Sequence, residues 1–347
     1  MQRLNVVGLH TRNGFRTCEL YQGDIVALDR NVDVLVVSAF AGRYKKTPGS
    51  VIGSLWTQCH IDVATLAQEP ALDFRNSLGV WCSQTIVGQP FSIIVCADIR
   101  GSVPTVAEIL ENVFVTLTIL EIKHTPIRRV ALPVLGAGYQ QLPTETVAHE
   151  LIHASRRYLE RSTTAESVLF VEINPTRAAE LANAMDATLG RESALLAPTQ
   201  LLESVRADLV SALEEASSLF EPDATTLRDD WQRLLRSPAV RTSELGFLGR
   251  RLVELLVNRL GGETSGQLHQ RIRSLEAQGH IAPWICGYMH VLRHLGNEAV
   301  HEQASKKRVP PFVDQSDLSL SLLCVERLLR FWKQANTKAL SSYGNPK

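Results

Sequence analysis

Residues 130–143 read VALPVLGAGYQQLP, an apolar run that stops at two glycines and resumes as a helical pattern after Pro143. A run with no polar alternation is what a strand buried on both faces looks like, because helices cover a parallel or mixed sheet on each side. Working outward, similar runs occur at 4–9 (LNVVGL), 33–40 (DVLVVSAF), 91–97 (FSIIVCA), 128–135 (RRVALPVL) and 167–173 (SVLFVEI). Helix-period segments lie between and after them at 49–67, 104–122, 143–160 and 175–188. Strands alternating with helices predict an α/β domain, a three-layer α/β/α sandwich. After residue 190 the β-branched runs stop. Leu, Arg and Glu dominate segments punctuated by Pro222, Pro238, Gly261-Gly262 and Pro310-Pro311, which predicts an all-α helical bundle. The 347 residues exceed one domain of ~100–200 residues. The expected division is 1–192 and 199–340, with the junction near Pro198.

Thirty-six basic residues balance 36 acidic ones, so no global field attracts nucleic acid or an anionic membrane. Cys18, Cys59, Cys82, Cys96, Cys286 and Cys324 are scattered, with no CxxC pair and no zinc-type Cys/His spacing. They are expected to pack as small apolar groups in a reduced, cytoplasmic setting, and no metal is expected. The first residues lack a signal-like apolar stretch and no window holds ~18 uninterrupted apolar residues. Neither export by the general route nor membrane insertion is expected.

Ligands of open α/β sheets collect outside the carboxyl ends of strands, and three segments lie there. In Gly23-Asp24-Ile25 a carboxylate stands beside a backbone N–H, a pair that suits an adenine edge. Asp24 as a simple turn cap fits the same residues. In SAFAGRYKKTPGSVIGSL, 38–55, a strand gives way to a Gly- and Ser/Thr-rich loop that opens a helix near Gly49. A helix N-terminus of this kind suits a phosphate, and Lys45 and Lys46 add positive charge. In Leu135-Gly136-Ala137-Gly138-Tyr139-Gln140 two glycines leave successive N–H groups bare, an anion-binding nest for a diphosphate. No Gly-Lys-Ser/Thr follows, and GxGxxG is absent, which excludes a P-loop and a dinucleotide Rossmann fingerprint.

The order and spacing of these segments resemble the macro-domain family over about residues 5–190. The resemblance implies an ADP-ribose-type, NAD-derived nucleotide ligand and no further cofactor. On that match Asp24 and Ile25 hold adenine, with Ile173 and Asn174 near it. Ser38, Ala39, Phe40, Thr47, Gly49, Ser50 and Val51 surround the distal ribose. Leu135, Gly136, Ala137, Gly138, Tyr139 and Gln140 wrap the diphosphate. Hydrolytic members carry Asn-Ala-Ala-Asn after the third strand, where this chain reads Val37-Ser38-Ala39-Phe40. Binding is therefore expected over hydrolysis, with Ser38, Tyr44 or Tyr139 as the polar groups available to an ADP-ribosyl hydrolase. The loop YKKTPGSVIGSLW resembles a macro branch accompanying bacterial antiphage defence proteins that use NAD-derived signals.

In the helical half, 283–302 reads as one amphipathic helix. Taking ~100° per residue, Trp284, Tyr288, Val291, Leu292, Leu295 and Ala299 make its core face; His290, Arg293, His294, Asn297 and His301 share the other. The second set suits phosphate binding and proton transfer, with Arg293, Asn297 and His301 as catalytic candidates; it equally suits a solvated face. LRHLGNEAVHE, 292–302, resembles helical bacterial domains with an LRxxGNxxAH signature, related to HEPN domains. That resemblance implies a homo-oligomer and possible action on RNA. Three functions stay open: a sensor-effector, an ADP-ribosyl hydrolase with a recruiting helical domain, and a non-catalytic interaction module.

Overall fold

The computed structural model describes residues 1–28, 31–99, 105–135, 143–190, 195–196, 200–237, 240–261, 266–300 and 315–343. The chain divides into two compact units, Met1–Gly190 and Arg191–Lys347.

The first unit is built on an eight-stranded mixed sheet. Its strands are β1 (Gln2–Thr11), β2 (Gly14–Gln22), β3 (Val32–Phe40), β4 (Leu72–Phe74), β5 (Val80–Cys82), β6 (Phe91–Ile99), β7 (Arg129–Pro133) and β8 (Ser167–Glu172). Their order is β1-β2-β8-β7-β3-β6-β5-β4. The central run β2, β8, β7, β3 and β6 is parallel throughout, so five carboxyl ends emerge along one edge.

Both faces of this sheet are covered, which is why its strands read as unbroken apolar runs. On β3, Val34 and Val36 join one core with residues of α3 (Val106–Ile122), α4 (Thr144–Arg161) and α5 (Pro175–Thr188). Leu35, Val37 and Ala39 join the other core with α1 (Val51–Cys59) and α2 (Val63–Leu66). The three-layer expectation therefore holds. One predicted helix, 49–67, is two: His60 takes the left-handed conformation at φ 56° and ends α1, and Asp62 restarts the chain by accepting from the Ala64 N–H at 3.0 Å. The edge strands β4 and β5 escaped the sequence reading because three residues are too few to show a period.

The second unit is helical apart from a two-residue pairing of β9 (Leu195–Leu196) with β10 (Val240–Arg241). Its helices are α6 (Gln200–Glu215), α7 (Ser217–Phe220), α8 (Thr225–Arg236), α9 (Thr242–Arg259), α10 (Leu268–Ala277), α11 (Pro283–Val300) and α12 (Gln315–Tyr343). Leu209, Trp231, Leu252, Ile285, Leu322 and Leu329 are fully buried within it. The α9–α11 crossing is set by glycines. A Cβ on Gly296 would lie 2.6 Å from the Gly246 carbonyl oxygen, and one on Gly249 would lie 3.2 Å from Leu292.

That crossing corrects the expected face of α11. The buried stripe is Ile285, Met289, Leu292 and Gly296, whereas Trp284 is 56% exposed and Tyr288, Val291 and Leu295 are only partly covered. The side chain of Ala299 lies outside the described residues. The helix is rotated because Gly296, the residue without bulk, must face α9 for the backbones to approach. Arg293 and Asn297 consequently sit beside the buried stripe rather than opposite it.

Among the described residues no helix is long and apolar enough to cross a membrane, and no group of three or more His, Cys, Asp or Glu could hold a metal ion.

Candidate functional site

The parallel register gathers the sequence-selected segments along one edge. Beyond the last residue of β2, the Gly23 N–H donates to the Glu172 carbonyl at 3.0 Å, which brings Asp24 next to the end of β8. Gly23 itself is at φ 149°, and a Cβ there would press on Met1 at 2.8 Å. Asp24 is partly buried and already has two partners. Its Oδ1 accepts from the Val26 N–H at 3.0 Å, and its Oδ2 accepts from Gln58 Nε2 at 2.9 Å. The turn-cap reading is thus fulfilled, and the carboxylate is also tied to α1. A carboxylate keeps further lone pairs, so capping and ligand binding are compatible. Ile25 is buried in the core beneath it.

Asn174 follows β8 as the N-cap of α5. Its side-chain oxygen accepts from the Arg177 N–H at 3.1 Å, and its own N–H donates to Glu172 Oε1 at 2.8 Å. With Pro175 at the first helical position, this is an ordinary helix start. Ile173 beside it is 61% exposed, an apolar side chain left uncovered at the strand end. Replacing Asn174 with alanine should destabilise the first unit by about 1 kcal/mol, the usual value of an N-cap. Asn174→Asp should keep the cap, which equilibrium urea unfolding of both variants would check.

At the end of β3, Ser38 is partly buried on the α3–α5 face, Ala39 is buried on the other face, and Phe40 is 45% exposed. The loop that follows folds tightly onto α1. Ser50 caps the helix by accepting from the Gly53 N–H at 3.0 Å and donates to the Thr47 carbonyl at 2.7 Å. Gly49, at φ 79°, makes the turn possible. No acidic residue stands in the first turn of α1, so the partial positive charge at its N-terminus is uncompensated there. Val51 opens the helix, partly buried.

The two lysines of this loop differ. Lys46 Nζ lies 2.7 Å from Asp62 Oδ2 and 3.3 Å above the Trp56 ring, so its charge is committed. That pairing holds the Asp62 carboxyl below its usual value. Lys45 is exposed. Tyr44 is anchored inward, its hydroxyl accepting from Trp81 Nε1 at 3.1 Å with the two rings edge to face. Burial, and then the charge of Asp98, push its phenol up to about 12.

At the end of β7, the Val134 N–H donates to the Val171 carbonyl at 3.1 Å, and Leu135 is buried. Gly136, Ala137, Gly138, Tyr139 and Gln140 lie outside the described residues. Asp98, at the end of β6, was missed in the sequence reading; its signal was a lone carboxylate closing an otherwise apolar strand.

In the helical unit, Arg250 of α9 is 4% exposed, donates through Nε to Glu254 Oε1 at 3.1 Å, and reaches across to Asn297 Oδ1 through Nη1. Asn297 therefore ties α11 to α9. Burial lowers the Arg250 pKa. Arg293 lies between two imidazoles, donating through Nε to His290 Nδ1 at 3.4 Å, with Nη2 against His294 Nε2. Burial, then the nearby Arg250 charge, lower the Arg293 pKa. Burial, then Arg293, depress the His290 pKa. His301 lies outside the described residues.

A histidine depressed on folding favours the neutral form, so its stabilising contribution is full above the unfolded value of ~6.5 and is lost as pH falls through the folded value. The melting temperature of the helical unit should decline on acidification from about pH 7.5 to about 5.5, and His290→Gln should flatten part of that decline.

The geometry defines the class of the first unit, an α/β/α sandwich with polar and glycine-bearing segments at its parallel strand ends. Solved structures similar to the chain include the Oceanobacillus iheyensis macrodomain with ADP, at 17% identity and a TM-score of 0.41, covering 53% of this chain and 97% of that one. Another is the Trypanosoma brucei macrodomain in complex with ADP-ribose, at 18% identity and a TM-score of 0.37, covering 48% of this chain and 68% of that one. In the second unit, residues 239–339 match a family described as a domain of unknown function, DUF4145. No curated protein matches the chain in sequence.

Proposed function

We propose that the first unit binds an ADP-ribose-type, NAD-derived nucleotide at its strand-end edge and that the helical unit delivers the response. The observation that carries this reading is the parallel register of β2, β8, β7 and β3, which sets Asp24, Asn174, Leu135 and the 38–40 strand end along one edge. Adenine is assigned to the remaining lone pairs of Asp24, with Ile173 as its apolar cover. The diphosphate is assigned to the α1 N-terminus behind Ser50 and to the loop of Gly136, Ala137, Gly138, Tyr139 and Gln140. Thr47, Gly49 and Val51 belong with the distal ribose. A nucleotide that switches the output must bind one state of the chain more tightly than another.

Binding without hydrolysis is favoured by Tyr44. A phenol pushed up to about 12, with its oxygen accepting from Trp81, is a poor base at neutral pH. Incubation with ADP-ribosylated protein should release no free ADP-ribose; release would establish the hydrolase instead. A melting temperature unmoved by any nucleotide would favour a plain interaction module.

For the output, Arg293, Asn297 and His301 are assigned to steadying and cleaving a phosphodiester in a homo-oligomer, as an antiphage defence effector. Two imidazoles flanking Arg293 support this assignment, and Asn297 contributes through its bond to Arg250. RNA cleavage should be lost in both His301→Ala and Arg293→Ala. Cleavage that survives both changes would leave the helical unit as an assembly domain.

A further inference from the structure

Helix α4 carries the pentad His149-Glu150-Leu151-Ile152-His153, which the sequence reading, led by the cysteines, passed over. Two histidines four residues apart lie one turn apart on the same helix face, and this order can offer a zinc ion two imidazoles beside a carboxylate. The core fixes which face they take. Val147, Leu151, Ile152 and Ala154 are buried against the sheet, which turns His149 and His153 to solvent. Their ring centroids lie 4.2 Å apart, with the planes tilted by 37°. Two nitrogens that share one zinc at ~2.0–2.1 Å each stand within ~4 Å of one another, which rings this close reach by turning about χ2.

Glu150 Oε1 lies 3.5 Å from His149 Nδ1. A carboxylate there favours the hydrogen on Nδ1 and leaves the Nε2 lone pair for a metal, the outer partnership that metal-bound histidines use. The cations of the next turn are committed elsewhere, Arg156 to Glu160 at 3.0 Å and Arg157 to Glu111 at 2.8 Å. A second pair of the same spacing, His290 and His294 on α11, shows by contrast why α4 is the site. There the Arg293 guanidinium stands between the imidazoles, donating to His290 Nδ1 at 3.4 Å and lying against His294 Nε2. A cation already fills the place that a metal would take.

We propose that His149 and His153 bind a zinc ion on the solvent face of α4, with Glu150 orienting His149 from outside the coordination shell. No third His, Cys, Asp or Glu joins them among the described residues, so the other positions of a tetrahedral ion go to water or to another exchangeable ligand. This makes the site an open one that exchanges its ion, not a closed structural one. Zinc suits it because imidazole is a ligand zinc favours, whereas magnesium takes oxygen ligands and gives up its waters reluctantly. The proposal stands apart from the nucleotide reading, because neither Asp24 nor the 136–140 loop takes part in it.

The test is calorimetric titration of the full chain with zinc chloride, and with magnesium chloride as a hard-cation control. Zinc should bind saturably, and magnesium should not. His149→Ala and His153→Ala should each weaken zinc at least about tenfold. Both positions lie on an exposed helix face where alanine suits the helix, so the fold should survive either change. Glu150→Gln should weaken zinc by a smaller factor, and His290→Gln should leave its affinity unchanged. In histidine side-chain NMR spectra, zinc should shift the imidazole resonances of His149 and His153 together, which separates this site from the thiols and from α11. No saturable zinc binding, equal binding of magnesium, or zinc affinity unchanged in both folded histidine variants of α4 would overturn the proposal.

Discussion

Valine in place of Gly296 should unfold the α9–α11 core while leaving the first unit intact. A Cβ at this position would lie 2.6 Å from the Gly246 carbonyl oxygen and 2.7 Å from the Arg250 Cβ. Both are fixed parts of α9, so no flexible side chain can yield, and the helices must separate. Separation opens the packing of Leu292 on Gly249 and pulls Asn297 from the buried Arg250 guanidinium. Overpacking of a close crossing costs about 1–3 kcal/mol. Losing the partner of a buried charged donor adds about 1–3 kcal/mol or more. Together these reach about 2–6 kcal/mol, a large part of the stability of a domain of this size. Hydrogen exchange is the suitable readout, because two units need not unfold together. Amides of α9 and α11 should lose protection, and those of β3 and β6 should keep theirs.

Gly53→Ala tests the other glycine-dependent contact and has a counterintuitive sign. Inside an exposed helix, alanine in place of glycine stabilises by about 1 kcal/mol. Here the added Cβ would stand 2.1 Å from the Thr47 carbonyl oxygen, which the turn onto α1 places directly against the helix. The turn must move, and Ser50 loses its bond to the Gly53 N–H, a cap worth about 1 kcal/mol. The net effect should be destabilising by about 1–3 kcal/mol. Because this turn positions the α1 N-terminus, affinity for ADP-ribose should fall at least about tenfold, which corresponds to about 1.4 kcal/mol. A stabilised protein with unchanged nucleotide affinity would show that the loop does not shape the ligand site.

Much of this architecture is legible in the sequence, for reasons specific to each element. The strands announce themselves because both faces of the sheet are buried, so Val34 through Val37 need no polar alternation. Ser50 and Asn174 mark helix starts because side-chain oxygens there take N–H groups that the helix leaves unpaired. The face of α11 was misread because apolarity alone placed Trp284 and Leu295 inward, whereas the close approach of two backbones placed Gly296 there. The partnership of Arg250 with Asn297 joins residues 47 positions apart, which no helical period encodes. Asp98 was hidden for a related reason. Its neighbours Cys96 and Ala97 read as core, and only the fold sets its carboxylate beside Tyr44.

The central claim is that the strand-end edge of the first unit takes an ADP-ribose-type nucleotide through Asp24. Isothermal titration of the full chain with ADP-ribose tests it most directly, in the wild type and in Asp24→Asn. Asparagine keeps the acceptor for the Val26 N–H and removes the charge, so the turn should survive the change. The wild type should bind one equivalent saturably. Asp24→Asn should bind at least about tenfold more weakly, as expected when a charge-assisted bond of about 1.5–3 kcal/mol is lost. No heat of binding in the wild type at millimolar ADP-ribose, or equal affinity in a folded Asp24→Asn variant, would contradict the account.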